Sequence, residues 1–252
     1  MNWNHHQTVT PELMQRLHSF GLLAAVLLAG NALLNGSARA QNTTTGSTTS
    51  TNMDVPDPKG FYATLGVGAA WPQTVNGNSD IFGVNVNASY GLGGGFALET
   101  GAGYDFGPVR AELTYSYSHA TLNNVSITAL GQGVSASISN GGVNTNSVLA
   151  SAYVDIPTKS RWVPYIGGGI GYTNVGWGAY SGSAFGVTIT QTAGSQGVFG
   201  YQAKAGVSYL ASKTTDVFVE ATYQGTSGFT VDQVNYDPLG SWGARLGARY
   251  RF

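Results

Sequence analysis

The chain has 252 residues, no cysteine, 37 glycines and a formal net charge of −1, and only 9% of its residues are charged. Average soluble domains carry about 25% charged residues and about 7% glycine, so the composition argues against an ordinary soluble enzyme. Without cysteine there are no disulfides, thiol catalysis or thiolate metal sites, and without a basic excess we expect no nucleic-acid partner.

The N-terminal residues have the pattern of an export signal. An apolar run, Phe20 to Leu34, follows a basic residue and precedes the small-residue cleavage site Ser37-Ala38-Arg39-Ala40. We predict a signal peptide over residues 1–40, with a retained membrane anchor as the alternative. Residues 41–58 are rich in Thr and Ser and lack apolar periodicity, which predicts a disordered linker. Residues 59–252 are predicted to form one domain.

Eight segments of this domain alternate between apolar residues and polar or small residues, which is the period of a β-strand. The third segment shows it most clearly, with Val109, Ala111 and Leu113 on one face and Arg110 and Glu112 on the other. The eight segments are 61–71, 96–105, 109–118, 148–156, 164–172, 199–209, 217–224 and 242–252.

Charged and aromatic residues divide unequally between the two faces. The charged residues within the segments all lie on the polar face: Glu99, Asp105, Arg110, Glu112, Asp155, Lys204, Glu220, Arg245, Arg249 and Arg251. Aromatic residues cluster at the two ends of the apolar face: Trp71, Phe96, Tyr117, Tyr172 and Trp242 at one end, and Phe61, Tyr104, Tyr209, Tyr250 and Phe252 at the other. Aromatic belts border the lipid-facing band of transmembrane β-barrels, where a midplane Arg or Lys costs about 2–4 kcal/mol. The pattern therefore favours a transmembrane barrel over a soluble antiparallel sandwich.

The connections between segments alternate between three short and four long ones. Outer-membrane barrels have short periplasmic turns, long extracellular loops and an even number of strands. We therefore predict an all-β, antiparallel up-and-down barrel of eight strands, with both termini periplasmic and the loops extracellular. Residues 81–86, 125–138 and 185–192 also have β-like patterns and are predicted to extend hairpins above the membrane, with a ten-stranded barrel as the alternative.

Four segments, 60–72, 101–118, 163–172 and 245–252, carry a resemblance to a known family. In them the chain resembles the OmpA/OmpX-like and opacity-type bacterial outer-membrane barrels of the porin family. The resemblance implies a monomer surrounded by outer-membrane lipid. It also implies that Gly247, Tyr250 and Phe252 form the C-terminal signal read by the barrel-assembly machinery.

The polar face of such a barrel lines a narrow lumen, because eight strands leave only enough room for side chains. The residues predicted to form a charge network there are Glu99, Asp105, Arg110, Glu112, Lys204, Glu220, Arg245 and Arg249. Counting back from the short turns places Arg110 beside Asp105, and Glu220 diagonal to Lys204. Inward glycines leave open a narrow path for ions or small solutes.

Catalytic patterns are nearly absent from the predicted barrel. Its one histidine, His119, has outward parity, whereas Ser116 and Ser118 face inward. A nucleophile and its base would need to meet, so we expect no enzyme, cofactor or metal.

The predicted function is that of a surface-exposed outer-membrane protein, an anchor or adhesin with a mostly closed lumen; a small porin is the alternative. Apolar loop residues either pack within hairpin extensions or contact an extracellular ligand. These residues are Ile81, Phe82, Val134, Trp177, Phe185 and Phe229.

Overall fold

A computed structural model describes residues 59–252, except for residues 82, 185–186 and 232. The predicted signal peptide (1–40) and linker (41–58) lie outside these residues. Thirteen strands are described: β1 (Gly60–Pro72), β2 (Val75–Ile81), β3 (Val84–Asp105), β4 (Val109–Ala129), β5 (Gln132–Asp155), β6 (Trp162–Trp177), β7 (Tyr180–Ala184), β8 (Val187–Gln191), β9 (Gly194–Leu210), β10 (Thr215–Thr226), β11 (Phe229–Val231), β12 (Val234–Tyr236) and β13 (Gly240–Arg251). No helix in this part of the chain is long and apolar enough to span a membrane.

Eight of the strands close into an antiparallel ring. The order around it is β1, β3, β4, β5, β6, β9, β10 and β13, and β13 pairs again with β1. Leu65 at the centre of β1 faces Thr100 of β3 on one side and Ala248 of β13 on the other. Closure satisfies the backbone hydrogen bonds of both edge strands, as a strand in lipid requires. The eight-stranded barrel is thus confirmed.

The two ends of the barrel differ in their connections. At the end where β1 begins and β13 ends, called the terminus end, three short turns span 106–108, 156–161 and 211–214. In the first turn the Asp105 carboxylate accepts a hydrogen bond from the Gly107 N–H at 2.8 Å. Gly107 has a φ of 106°, which glycine adopts without a steric penalty.

At the opposite end, called the hairpin end, the strands continue beyond the ring. The hairpin of β4 and β5 stays paired up to Ala129 and Gln132. The short strands β11 and β12 pair with each other, β12 pairs with β2, and β7 pairs with β5 and β8. The hairpin extensions predicted at 81–86, 125–138 and 185–192 are confirmed for the residues that the structure describes there, namely 81, 83–86, 125–138 and 187–191.

The outer surface of the ring is apolar and bordered by aromatic residues. Leu65 is 56% exposed and Leu246 64% exposed, although both lie at the middle of their strands. Phe61 packs edge-on against Tyr104, with ring centroids 4.9 Å apart. Ten residues along β1 separate Phe61 from Trp71 in the opposite belt. At about 3.3 Å per residue and a tilt of about 40°, this spacing gives an apolar band about 25 Å tall.

The interior of the ring reverses this distribution. Buried charged side chains lie at its centre, among them Glu99 and Lys204, which are 4% and 5% exposed. A soluble sandwich buries its apolar face and exposes its charges, so the observed arrangement excludes that alternative.

Candidate functional site

The barrel interior contains every residue of the predicted charge network. Alternation along β3, β4, β9, β10 and β13 turns these side chains inward, and each is less than a tenth exposed. They are Glu99, Asp105, Arg110, Glu112, Lys204, Glu220, Arg245 and Arg249. The structure divides all of them except Glu112 into three groups at successive levels of the barrel. Glu112 belongs to none of the ion pairs described for this part of the chain and accepts a hydrogen bond from the Tyr153 hydroxyl at 3.4 Å.

The central group joins two carboxylates and two cations from four strands. Lys204 Nζ forms an ion pair with Glu99 and lies 3.2 Å from Glu220 Oε1. Arg245 Nη1 lies 2.6 Å from Glu99 Oε2 and 3.9 Å from Glu220 Oε1. Each charge therefore has two opposite charges nearby, which offsets the cost of removing all four from water. This group links β3 to β9 across the lumen.

A second group surrounds Arg110. Its Nε and Nη2 donate to the two oxygens of Asp155 at 2.8 and 2.9 Å, and its guanidinium lies 4.8 and 4.9 Å from the ring centroids of Tyr153 and Tyr165. Arg110 is the backbone neighbour of Asp105, as predicted. Its side chain nevertheless reaches the diagonal carboxylate on β5, because a long arginine spans that distance readily.

A third group lies at the terminus end. Asp216 is fully buried and accepts from Arg249 Nη1 at 2.5 Å and from Arg251 Nη1 at 2.6 Å. Arg251 also donates through Nη2 to Asp105 at 2.9 Å. The sequence prediction omitted Asp216 because it precedes the seventh segment by one residue. Its parity with Glu220 in the same strand was the signal that could have identified it.

Aromatic rings inside the barrel lie against inward glycines. A Cβ added at Gly103 would lie 2.7 Å from the Tyr62 ring, and one added at Gly206 would lie 2.7 Å from the Tyr165 ring. The ring of Phe218 covers Gly66 in the same way, at 3.5 Å. These glycines therefore make room for the inward-facing aromatic rings.

Uncharged polar side chains form the next levels toward the hairpin end. Gln202 Nε2 donates to Ser151 Oγ at 2.8 Å. Gln224 Nε2 donates to Ser116 Oγ at 2.9 Å, and the hydroxyls of Ser147 and Thr173 are 2.8 Å apart. The inward serines at this level are thus engaged with amides and hydroxyls.

His119 lies at the hairpin-end belt. Its Nδ1 is 2.6 Å from Asn144 Oδ1, and its ring packs against Phe96 at 5.9 Å. Within the described ranges no group of three His, Asp or Glu side chains could hold a metal ion.

The apolar loop residues have different positions in the structure. Trp177 and Phe229 are partly buried inside the hairpin end, whereas Val134 on the β4–β5 hairpin is 40% exposed. The side chains of Ile81, Phe82 and Phe185 lie outside the described part. Leu130, which the sequence analysis did not single out, is 81% exposed at the hairpin tip.

Two comparisons by sequence place this barrel among known proteins. The model of a family described as "Surface antigen" matches residues 95–243, more than half of the chain. Two uncharacterised proteins, one of Brucella suis biovar 1 and one of Brucella melitensis biotype 1, are each 27% identical to this chain over 68% of its length. The chain spans 64% of the length of these relatives.

Solved outer-membrane barrels show a similar fold. Neisserial surface protein A covers 76% of this chain and 97% of its own, with 20% identity and a TM-score of 0.43. The outer-membrane protease OmpT of Escherichia coli covers 77% and 97%, with 9% identity and a TM-score of 0.49. The outer-membrane protein OprG of Pseudomonas aeruginosa covers 78% and 98%, with 16% identity and a TM-score of 0.42.

Proposed function

The chain belongs to the surface antigen family, and from that membership we propose that it presents its hairpin end outside the bacterial outer membrane as an anchor or adhesin-like contact surface. The observation that carries this proposal is the length of the β4–β5 hairpin. Twelve residues of β4 separate Tyr117 in the aromatic belt from Ala129 at the hairpin end, which projects the tip about 30 Å beyond the apolar band. Membrane anchoring alone does not need this projection.

The proposed orientation places the hairpin end outside the cell and the terminus end in the periplasm, because outer-membrane barrels have long extracellular loops and short periplasmic turns. The natural chain has no cysteine, so single cysteines report accessibility directly. We expect Leu130→Cys to react with a membrane-impermeant maleimide on intact cells. Lys213→Cys, in the exposed 211–214 turn, should react only after the outer membrane is permeabilised. The reverse pattern would overturn the orientation.

The contact role is tested by shortening the projecting hairpin. Val125 pairs with Ala136, four positions from the pair Ala129–Gln132 that flanks the natural two-residue turn. Replacing residues 126–135 with an Asn-Gly turn therefore keeps both the strand register and the hydrogen-bonded pair that such a turn needs. We expect cells expressing the shortened chain to adhere less to one another and to protein-coated surfaces, at equal amounts of folded barrel. Unchanged adherence would contradict the contact role while leaving the orientation intact.

We propose that the lumen is closed to ions. The support for this is the central ion-pair group, together with the rings packed on Gly103 and Gly206. The purified barrel should show no discrete conductance steps in planar bilayers. Lys204→Met should lower the unfolding temperature while leaving the bilayer silent.

A narrow pore for ions or small solutes is the second candidate function. It is favoured by a cavity of about 400 Å³ at the terminus end, lined in part by Asp105, Asp216 and Arg251, which would serve as an entrance. Discrete conductance steps whose ion selectivity changes in Lys204→Met would establish this function in place of the closed lumen.

A further inference from the structure

A separate cavity of about 90 Å³ lies inside the hairpin end, above the layers of polar side chains. Its walls come from strands of the ring and from the short strands β2, β7, β8, β11 and β12. Three of the hairpin-end connections supply a short strand to the cavity wall. The fourth, between β4 and β5, has no such strand, but β4 and β5 themselves supply wall residues.

Aliphatic and aromatic side chains together make up most of the walls of this cavity. The aliphatic side chains that line it are Val75, Leu92, Leu122, Val143, Val175 and Leu239. Below them the interior changes to the hydroxyls of Ser147 and Thr173. Apolar cavities in proteins stay free of water and accept apolar molecules, because water finds no hydrogen-bond partners there. The cavity is thus a chamber with mostly apolar walls, bordered by polar side chains on the side that faces the barrel centre.

Aromatic residues, together with Gly142 and Gln191, form the remaining wall, and tyrosine hydroxyls give it a polar edge. Tyr236 stacks on Phe229 with ring centroids 5.1 Å apart, and the Tyr90 hydroxyl interacts with those of Tyr180 and Tyr236. Burial raises the pKa of Tyr90 and of Tyr180 above the usual tyrosine value, so both stay neutral phenols. Among the residues that the structure describes, the chamber therefore has hydroxyl groups at its edge and no charged wall residue to attract an ion.

We propose that this chamber is a binding site for a small neutral apolar molecule, a single ring or a short alkyl chain with at most one hydroxyl. At about 90 Å³ the chamber is smaller than an apolar cavity of about 150 Å³ that holds benzene in another protein, but it is partly open, so a single ring can extend beyond it. A hydroxyl on the molecule would face the tyrosine group. The proposal is independent of both the adhesive role and the closed lumen.

The test uses 4-methylphenol and the isotope-labelled methyl groups of the full barrel in lipid nanodiscs. Cavity methyls of Leu92, Val143 and Val175 should shift with saturation on titration. The lipid-facing methyls of Leu65 and Leu246 serve as the internal control, since ligand dissolved in lipid shifts them in proportion to its concentration. Linear shifts of equal size at both sets would overturn the proposal.

A filling variant and a matched control make the result specific to the chamber. Val143→Phe adds a ring to the wall and should weaken binding at least tenfold. Val134→Phe makes the same change on the same strand, at an exposed position outside the chamber, and should bind as the natural chain does. If Val143→Phe does not fold, Leu92→Ala replaces it and should change the affinity by enlarging the chamber. Equal affinity in the natural chain and the cavity variant would also overturn the proposal.

Discussion

At the scale of single residues, Asp216 stands out because its one buried carboxylate forms two ion pairs of the interior. Its two carboxylate oxygens each accept from a different arginine of β13, and no part of its side chain reaches solvent. Removing one partner of a buried ion pair costs more than the pair contributes, because the remaining charge stays buried without compensation.

Asp216→Asn should therefore be severely destabilising, since it leaves Arg249 without its carboxylate partner and Arg251 with one of its two. We expect the free energy of unfolding to fall by about 3–5 kcal/mol, measured by urea unfolding in lipid vesicles. Asp237→Asn makes the same chemical change at an exposed loop position and should alter stability by less than about 0.5 kcal/mol. Equal effects of the two variants would contradict the role given to Asp216.

Sequence reasoning at this scale predicted the face of a residue better than its partner. Strand alternation turns Arg110 and Glu220 inward regardless of their neighbours. The choice of Asp155 rather than Asp105 as the partner of Arg110 depends on side-chain reach across a diagonal, which backbone register alone does not determine.

At the scale of elements, the two residues of the β4–β5 turn differ in how well they tolerate its left-handed backbone conformation. Leu130 and Gly131 both have positive φ, at 50° and 75°, which is the geometry of a type I′ turn. Glycine adopts this conformation freely, whereas a non-glycine residue held there costs about 1–3 kcal/mol. An exposed leucine at such a position is consistent with a role in contact.

Leu130→Asn should stabilise the hairpin tip by about 1 kcal/mol, because asparagine tolerates the left-handed conformation of this turn. Amide hydrogen exchange at 126–135 should slow. Gly131→Ala, which forces a side chain into the same region of φ, should accelerate it. Faster exchange in Leu130→Asn would contradict this account of the turn.

Gly206→Ala tests the packing of aromatic rings on inward glycines. The new methyl would lie 2.6 Å from the Val219 carbonyl and 2.7 Å from the Tyr165 ring, so we expect a loss of about 1–3 kcal/mol from overpacking. Gly168→Ala is the matched control, since an added Cβ there meets only one atom, at 3.3 Å. We expect a lower unfolding temperature for Gly206→Ala than for Gly168→Ala. It is measured by heating samples in steps and separating folded from unfolded barrel by its gel migration.

The strands of the ring were largely predictable, because the side chains along each strand alternate strictly between lipid and lumen. The short strands β7, β11 and β12 were not separately predicted. β11 and β12 are too short to show a period, and β7 is rich in Ser and Gly. These segments are strands because they pair with neighbouring hairpin residues.

At the scale of the whole molecule, closure of the barrel depends on β13, and Phe252 directly follows the last residue of that strand, Arg251. Phe252 is 81% exposed, and its aromatic ring packs edge-on against that of Tyr250, with centroids 5.4 Å apart. Phe252→Ala should reduce the amount of barrel assembled in cells several-fold, since the prediction assigns this residue to the assembly signal. The same variant refolded in detergent should lose less than about 1 kcal/mol, because the side chain packs against little. An equal loss in both settings would indicate a purely structural role.

The closed ring was predictable from periodicity and connection lengths, since both describe the chain locally. The apolar chamber at the hairpin end was not, because its walls join residues from Val75 to Leu239 that only the closed ring brings together.

The last strand supplies three of the five interior cations of the described barrel: Arg245, Arg249 and Arg251. Their partners include Glu99 and Asp105 on β3, more than a hundred residues earlier in the chain. Neutralising these carboxylates and sealing the open edges of the sheet are therefore one event. A chain that ended before β13 would face lipid with two unpaired edges and a lumen of excess negative charge. A barrel without its final strand would therefore be unfavourable in lipid, because unpaired strand edges and uncompensated buried carboxylates would both remain.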